Sequence, residues 1–89
     1  MDIDMRGHFT DMLKERQIQL EWIERTIADS DKTEDHDDGT KHYIKMIPEF
    51  GNRWLRVVIN NTVMPQKGVT AFFDRRARKE YENQSRQRQ

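Results

Sequence analysis

The sequence predicts an α+β domain in which two N-terminal helices pack on one face of a three-stranded antiparallel β-meander. Apolar residues recur at helical spacing through residues 8–28, whereas they alternate in the three segments that follow residue 40. An acidic stretch without apolar side chains separates the two patterns. The chain has 89 residues, of which 34% are hydrophobic and 36% charged, so it can form one domain with a small core.

The first helix is predicted to begin at His8. One face of this helix carries Phe9, Met12, Leu13 and Arg16. The helical spacing of apolar residues is interrupted at Gln17 and Ile18, which indicates a break in the helix. A second helix is expected over residues 19–28. The buried face of the second helix is expected to contain Leu20, Ile23 and Ile27, with Trp22 at its edge.

Residues 29–40 are predicted to form a solvated acidic loop that ends in an Asp-Gly turn signal. Its carboxylates also suggest a calcium loop. However, the segment lacks the full alternation of acidic positions and the terminal Glu that closes a helix–loop–helix calcium site. A solvated loop is therefore the preferred interpretation, and no metal site is predicted.

Three strands are expected next, at Lys41–Ile47, Arg53–Asn60 and Val69–Asp74. Between the first two, Gly51 and Asn52 can adopt the positive φ angles that a tight hairpin requires. Short connections between successive strands favour an antiparallel meander.

The central strand separates two kinds of side chain. Leu55, Val57 and Ile59 form a wholly apolar face, which should meet the helices. The opposite face carries Trp54, Arg56, Val58 and Asn60. This second face is expected to be partly exposed or to be covered by the C-terminal tail.

The expected domain covers residues 8–76, between a flexible N-terminus (residues 1–7) and a basic, disordered tail (residues 77–89). The tail contains too few apolar residues to offset the entropy of ordering it. At most one helical turn is expected before Glu82, and disorder from Glu82 onward.

Several classes of protein are excluded by composition. The absence of cysteine excludes disulfides, thiolate metal sites and cysteine catalysis. Neither a signal peptide nor a membrane-spanning segment is predicted, so a cytoplasmic location without membrane partners is expected. Ser30 and Ser85 lie in polar stretches without a histidine–carboxylate frame, and no glycine-rich phosphate loop is present. No cofactor is predicted.

Charge is distributed unequally along the chain. Residues 1–52 carry 13 acidic and 7 basic side chains, whereas residues 53–89 carry 3 acidic and 9 basic ones. Arginines interleaved with aromatic rings suit single-stranded RNA, because guanidinium groups bind phosphates and rings stack on bases. The predicted RNA-binding residues are Arg53, Trp54, Arg76, Arg78 and Lys79. The alternatives are a solubilising tail and mutual neutralisation of the two halves.

Few residues of the sequence are candidates for acid–base catalysis or metal binding. His8, at the start of the first helix, is a candidate general acid or base, although such a residue is more often a structural hydrogen bonder. The pair Glu15-Arg16 either lines a site or forms a solvated helix end. His36 and His42 do not have the spacing of a helical metal site.

Three segments carry a family resemblance: residues 8–16 (His-Phe-Thr-Asp-Met-Leu-Lys-Glu-Arg) followed by Ile18, residues 55–58 (Leu-Arg-Val-Val), and residues 69–74 (Val-Thr-Ala-Phe-Phe-Asp). Together they resemble a family of small bacterial domains of unknown function that is grouped with the BrnT and RelE/ParE-like toxins. The chain departs from the pattern at Gln17, where a glycine is usual, and at Gln19, where a capping Ser or Thr is usual.

This resemblance implies a RelE-like fold over residues 8–76 and metal-independent cleavage of free or ribosome-associated mRNA. It also implies a cognate antitoxin as a partner. The residues that match the pattern, and are therefore the predicted catalytic residues, are His8, Glu15, Arg16, Arg56 and Arg75. In such enzymes these side-chain types orient a ribose 2′-hydroxyl and stabilise the transition state.

The predicted function is thus a toxin-like RNA-binding domain that acts as a metal-independent endoribonuclease of a toxin–antitoxin system. The alternative is a non-enzymatic interaction module that forms a homodimer or binds another protein. An exposed aromatic patch without convergent polar groups would favour the alternative.

Overall fold

The structure, a computed structural model, describes residues 3–80. It contains a five-stranded mixed sheet and three helices. The strands are β1 (Ile3–Asp4), β2 (Lys32–Asp35), β3 (Thr40–Ile47), β4 (Arg53–Asn60) and β5 (Gln66–Phe73). The helices are α1 (His8–Arg16), α2 (Leu20–Ala28) and α3 (residues 75–80), and a 3₁₀ turn covers Pro48–Phe50. The strand order is β1-β5-β4-β3-β2.

The predicted three-stranded antiparallel meander with two helices is wrong. β3, β4 and β5 do form an antiparallel meander, but β2 extends it at one edge and β1 pairs in parallel with β5 at the other. β2 lies within the stretch predicted to be a loop. An edge strand is stabilised by backbone pairing and tolerates charged side chains. Because β2 contains no apolar residue, the sequence pattern did not indicate a strand there. α3 is the third helix.

The predicted limits of the helices and of the central strand agree closely with the structure, but Leu20, predicted on the buried face of the second helix, is 50% exposed. α1 begins at His8, and the predicted break falls at Gln17, whose φ of 58° is left-handed. β4 has the predicted limits, and the turn before it places Gly51 and Asn52 at φ angles of 64° and 56°. The family glycine expected at position 17 would adopt this left-handed conformation without a Cβ penalty.

The main core lies between the sheet and the layer formed by α1 and α2. Leu55, Val57 and Ile59 are fully buried, as their alternation along β4 predicts. They pack in one cluster with the buried helix residues Phe9, Met12, Leu13, Ile23 and Ile27 and with Ile18 of the connection. Burial of this apolar surface is the dominant stabilising contribution.

The opposite face of the sheet is covered in part by α3. Ile44 and Ala77 are fully buried and Val58 nearly so, yet none of them belongs to the cluster with α1 and α2. The sequence left open whether this face is partly exposed or covered by the tail, and the burial of Ala77 indicates that residues 75–80 lie over part of it. The tail beyond Glu80, including Tyr81 and Glu82, lies outside the described residues.

The elements of the fold extend beyond the expected domain limits of 8–76. Ile3 and Asp4 pair with Gln66 and Lys67, and Ala77 is buried within α3. No helix within residues 3–80 has the length and apolar character needed to cross a lipid bilayer.

Candidate functional site

A cluster of polar side chains lies on the sheet face that α3 covers, and the β2–β3 hairpin supplies three of them. Glu34 and His42 are direct cross-strand partners, so their side chains share a face. His36 follows Glu34 by two residues and therefore projects to the same side. The hairpin is closed by a hydrogen bond from the His36 N–H to the Thr40 carbonyl at 3.0 Å, with Gly39 in the turn at a φ of 83°.

Arg56 on β4 joins this hairpin to the end of β5. It lies opposite Ile44, which places it diagonally across from His42. Its Nη1 donates to Glu34 Oε1 and to His42 Nδ1, each at 2.9 Å, and its Nε donates to Asp74 Oδ2 at 2.7 Å. The Arg56 side chain is only 11% exposed, so its charge is largely shielded from solvent.

Asp74 is the N-terminal cap of α3. Its Oδ1 accepts hydrogen bonds from the backbone N–H groups of Arg76 at 2.9 Å and Ala77 at 3.3 Å, which are free donors at a helix start. Its own N–H donates to the Trp54 carbonyl at 2.8 Å. The ion pair with Arg56 therefore fixes α3 against the sheet.

Opposing effects set the charge states of this cluster. Burial raises the pKa of Asp74, but the hydrogen bonds from Arg56 and from the helix backbone outweigh it, and the pKa is lowered. Burial likewise disfavours the Arg56 cation, yet Glu34 and Asp74 raise its pKa overall. Burial, together with His36 and Arg56, lowers the pKa of His42. The Arg56 cation thus lies between two carboxylates that offset its charge, and its Nε and Nη1 already donate hydrogen bonds to them, so it is poorly placed to bind a phosphate.

Glu34, His36 and His42 form a compact set of ligand-capable groups. The His36 Nε2 lies 2.9 Å from Glu34 Oε1, and the two imidazole rings stack with centroids 3.7 Å apart. One ligand atom of each residue lies within 4.8 Å of the other two. The sequence prediction missed this set, although a Glu-x-His pair, an Asp-Gly turn and a further histidine form a recognisable hairpin signal.

The predicted catalytic residues on α1 lie in the other layer of the molecule. His8 opens the helix, and Glu15 and Arg16 end it, all three exposed. Arg16 Nη1 donates to the Thr70 hydroxyl at 3.1 Å and to the Ala71 carbonyl at 2.7 Å.

Arg56 points to the opposite face of the sheet, since it alternates with Leu55 and Val57, which pack against the helices. The structure therefore does not bring His8 together with Arg56. Arg75, by contrast, directly follows the Arg56 partner Asp74 and lies exposed at the start of α3.

The predicted RNA-binding residues lie at one end of the sheet and on α3. Arg53 is exposed, and its guanidinium carbon lies 4.9 Å from the Phe50 ring centroid. Trp54 is half-buried rather than exposed. The remaining members are exposed on α3: Arg76, Arg78 and Lys79.

An aromatic cluster adjoins Arg53. Phe50 is 37% exposed and packs on Phe73 at 4.8 Å and on Trp22 at 5.5 Å between ring centroids. Arg75 follows Phe73 by two residues, so the two Cα atoms are at most about 7 Å apart. We name Phe50, Phe73, Arg53 and Arg75 the aromatic–basic end of the sheet.

Comparison with known proteins gives one family match. The family model described as domain of unknown function DUF4258 matches residues 5–73, which is most of the chain. No curated protein matches, and no solved structure matches. Nothing in these comparisons links the chain to the BrnT or RelE/ParE toxins.

Proposed function

The chain belongs to the DUF4258 family, and we propose that it is a toxin-like domain that binds single-stranded RNA. The observation that carries the proposal is the aromatic–basic end of the sheet. There the exposed Phe50 ring is held by Trp22 and Phe73 and has the Arg53 guanidinium 4.9 Å away. A fixed, accessible ring beside a cation offers a stacking surface for a base and a contact for its phosphate.

The phosphate contacts are assigned to exposed cations and not to Arg56. Arg56 is enclosed by two carboxylates, whereas Arg53 lies at the surface of the same strand. Further exposed basic residues lie on α3, which covers the opposite face of the sheet: Arg75, Arg76, Arg78 and Lys79. These exposed cations support sequence-independent attraction to a polyanion.

We propose further that the domain cleaves the RNA it binds, which the resemblance to RelE-like toxins supports. His8, Glu15 and Arg16 on α1 match that pattern. His8 and Glu15 are seven residues apart, so they share a helix face with about 10 Å of axial rise between them. A strand of RNA could lie along this face, and cleavage would need His8 alone to handle the 2′-hydroxyl proton.

RNA binding is tested by titrating labelled single-stranded RNA at low and moderate salt. Arg53→Ala should weaken binding, and Phe50→Ala should cost about 1–3 kcal/mol per stacked base. Arg6→Ala is the matched control, since Arg6 is also exposed but lies near β1, which pairs with the opposite end of β5. No binding by the wild type at low salt would reject the proposal, as would equal losses in Arg53→Ala and Arg6→Ala.

Cleavage is tested separately, with and without ribosomes, for the wild type and His8→Ala. Cleavage that His8→Ala abolishes would support the endoribonuclease. Binding without cleavage would retain the RNA-binding domain and remove the enzyme.

A groove favours a second candidate function, the binding of another protein chain. It has a volume of about 720 Å³, lies beside α1 and the start of α2, and is lined by the apolar residues Ile3, Met5, Leu13, Ile18 and Leu20. Leu20 is 50% exposed. An antitoxin segment or a second copy of this chain would bury these side chains. Light scattering at several concentrations tests self-association. A dimer that Leu20→Ser dissociates would support this candidate, whereas a concentration-independent monomer would exclude the homodimer.

A further inference from the structure

Three metal-ligating side chains share one face of the β2–β3 hairpin, and neither the predicted catalytic residues nor the RNA surface uses them. We propose that Glu34, His36 and His42, here named the hairpin triad, bind a divalent transition metal ion such as Zn²⁺. The triad consists of two residues at positions i and i+2 of one strand segment and the cross-strand partner of the first. This arrangement directs three side chains to one side of a sheet. The inference does not depend on RNA binding.

The donor atoms suit zinc chemically. Two imidazole nitrogens and one carboxylate oxygen form the protein ligand set of open zinc sites, in which water takes the fourth position. Ligands of a tetrahedral zinc ion lie about 3.3 Å apart, given metal–ligand distances of about 2.0–2.1 Å. The triad atoms lie within 4.8 Å of one another, so a small contraction completes the site. Glu34 and His36 have side chains 27% and 40% exposed, which leaves room for this movement and a path for the ion.

Two of the triad atoms already face a cation. Arg56 Nη1 lies 2.9 Å from both Glu34 Oε1 and His42 Nδ1. Because a guanidinium only donates hydrogen bonds, His42 Nδ1 presents its lone pair and its proton resides on Nε2. A metal ion would replace Arg56 at these atoms, and Arg56 would keep its bond of 2.7 Å to Asp74.

Metal binding requires one defined rearrangement. The His36 and His42 rings are stacked with only 11° between their planes. The ligating lone pair of an imidazole lies in the ring plane, so two stacked rings cannot direct lone pairs at the same ion. His36 follows the last residue of β2 and is the more accessible ring, so it is the one that turns.

The donor set also determines which ions are selected. Mg²⁺ and Ca²⁺ prefer six or more oxygen ligands, and the triad offers a single carboxylate. Imidazole favours Zn²⁺, Cu²⁺ and Ni²⁺. Selective binding of Zn²⁺ over Mg²⁺ therefore distinguishes the triad from nonspecific attraction by the other acidic residues of the hairpin.

The test is calorimetric titration of the full, tag-free chain with zinc chloride, together with visible absorption of the Co²⁺ complex. The wild type should bind one Zn²⁺ per chain, and Co²⁺ should give the intense bands of a four-coordinate site. His36→Gln should reduce the Zn²⁺ affinity by at least about tenfold, which is the minimum expected from losing a direct ligand. Proton NMR should show that the His36 ring leaves its stack on His42 when Zn²⁺ is added.

Two control variants leave the triad intact and change a carboxylate or a histidine elsewhere in the chain. Asp37→Asn removes an exposed carboxylate of the same hairpin, and His8→Gln removes a histidine on α1; both should bind Zn²⁺ like the wild type. His42→Gln provides a second triad variant, and circular dichroism of each variant confirms its fold. The proposal is overturned if the wild type does not bind Zn²⁺, if His36→Gln and His42→Gln bind as well as the wild type, or if Asp37→Asn causes the same loss.

Discussion

Replacement of Arg56 by alanine is the most direct test of how α3 is held against the sheet. The substitution removes a guanidinium that binds Asp74 at 2.7 Å and Glu34 at 2.9 Å. The Arg56 and Asp74 side chains are 11% and 12% exposed, so water cannot fully replace the lost contacts. Arg56→Ala leaves two carboxylates close together without their shared cation.

The magnitude follows from the burial of the partners. Removing one partner of a fully buried ion pair costs about 3–5 kcal/mol, and exposed pairs contribute about 0–1 kcal/mol. Asp74 is nearly buried but keeps its helix-capping bonds, and Glu34 retains partial access to water. We therefore expect a loss of about 2–4 kcal/mol in the free energy of unfolding, between these limits. A chain of 89 residues has a total stability of about 5–13 kcal/mol.

Urea unfolding followed by circular dichroism measures this loss. Arg53→Ala is the matched control, because Arg53 is an exposed arginine on the same strand, and loss of its contact with the Phe50 ring should cost only about 0.5–1 kcal/mol. Arg56→Lys should give an intermediate loss, since lysine keeps the charge but not the forked geometry. If Arg56→Ala were as stable as Arg53→Ala, the ion-pair network would not hold α3, and the reasoning would be refuted.

Three further predictions concern packing, backbone and pH. Gly68→Ala should lower the free energy of unfolding by about 1–3 kcal/mol, because its Cβ would lie 2.9–3.0 Å from three ring atoms of the buried Phe9; unchanged urea unfolding would contradict this contact. Gln17→Gly should raise the free energy of unfolding by about 0.5 kcal/mol, because it relieves a left-handed φ of 58°; a lower melting temperature would argue against this gain. The hydrogen bond from Arg25 lowers the pKa of Glu49 from 4.5 to about 2. A depressed folded-state pKa stabilises the protein above the unfolded value, so this contribution should be lost as pH falls from 4.5 toward 2. The stability difference between the wild type and Glu49→Gln should shrink over that range, and a constant difference in urea midpoints would refute the pairing.

Local periodicity explains why the helices and β4 could be predicted from the sequence. Each of these elements carries its own apolar pattern, such as Phe9, Met12 and Leu13 on one helix face. The positive φ angles at Gly51 and Asn52 are also a local property of the residue types. Helices and strands whose pattern is contained in a few neighbouring residues can therefore be predicted without knowledge of the tertiary structure.

β1, β2 and α3 lack that local information. β1 has two residues, which is too short for any period, and it depends on pairing with β5. β2 carries Lys-Thr-Glu-Asp, and only its ladder with β3 makes it a strand. α3 did have one signal, since Asp74 is a favoured cap residue directly before it. Its only described buried residue is Ala77, which is too small to produce an apolar stripe.

The partners of Arg56 could not be predicted for a related reason. Arg56 meets Glu34 across 22 residues and Asp74 across 18, so these contacts depend on the register of three strands. The family pattern singled out Arg56 but could not show that carboxylates surround it. A loss of RNA binding in Arg56→Ala would therefore not by itself identify a phosphate contact, and its stability must be measured beside it.

Zinc binding and the loss of Arg56 should affect α3 differently, because they break different bonds of the network. Zn²⁺ at the hairpin triad replaces Arg56 as the partner of Glu34 and His42. It leaves intact the 2.7 Å hydrogen bond between Arg56 and Asp74, which caps the helix. The amides of residues 75–80 should thus keep their hydrogen-exchange protection when Zn²⁺ is bound, whereas Arg56→Ala should reduce it. If Zn²⁺ exposed these amides as much as Arg56→Ala does, Glu34 rather than Asp74 would be the contact that holds α3 to the sheet.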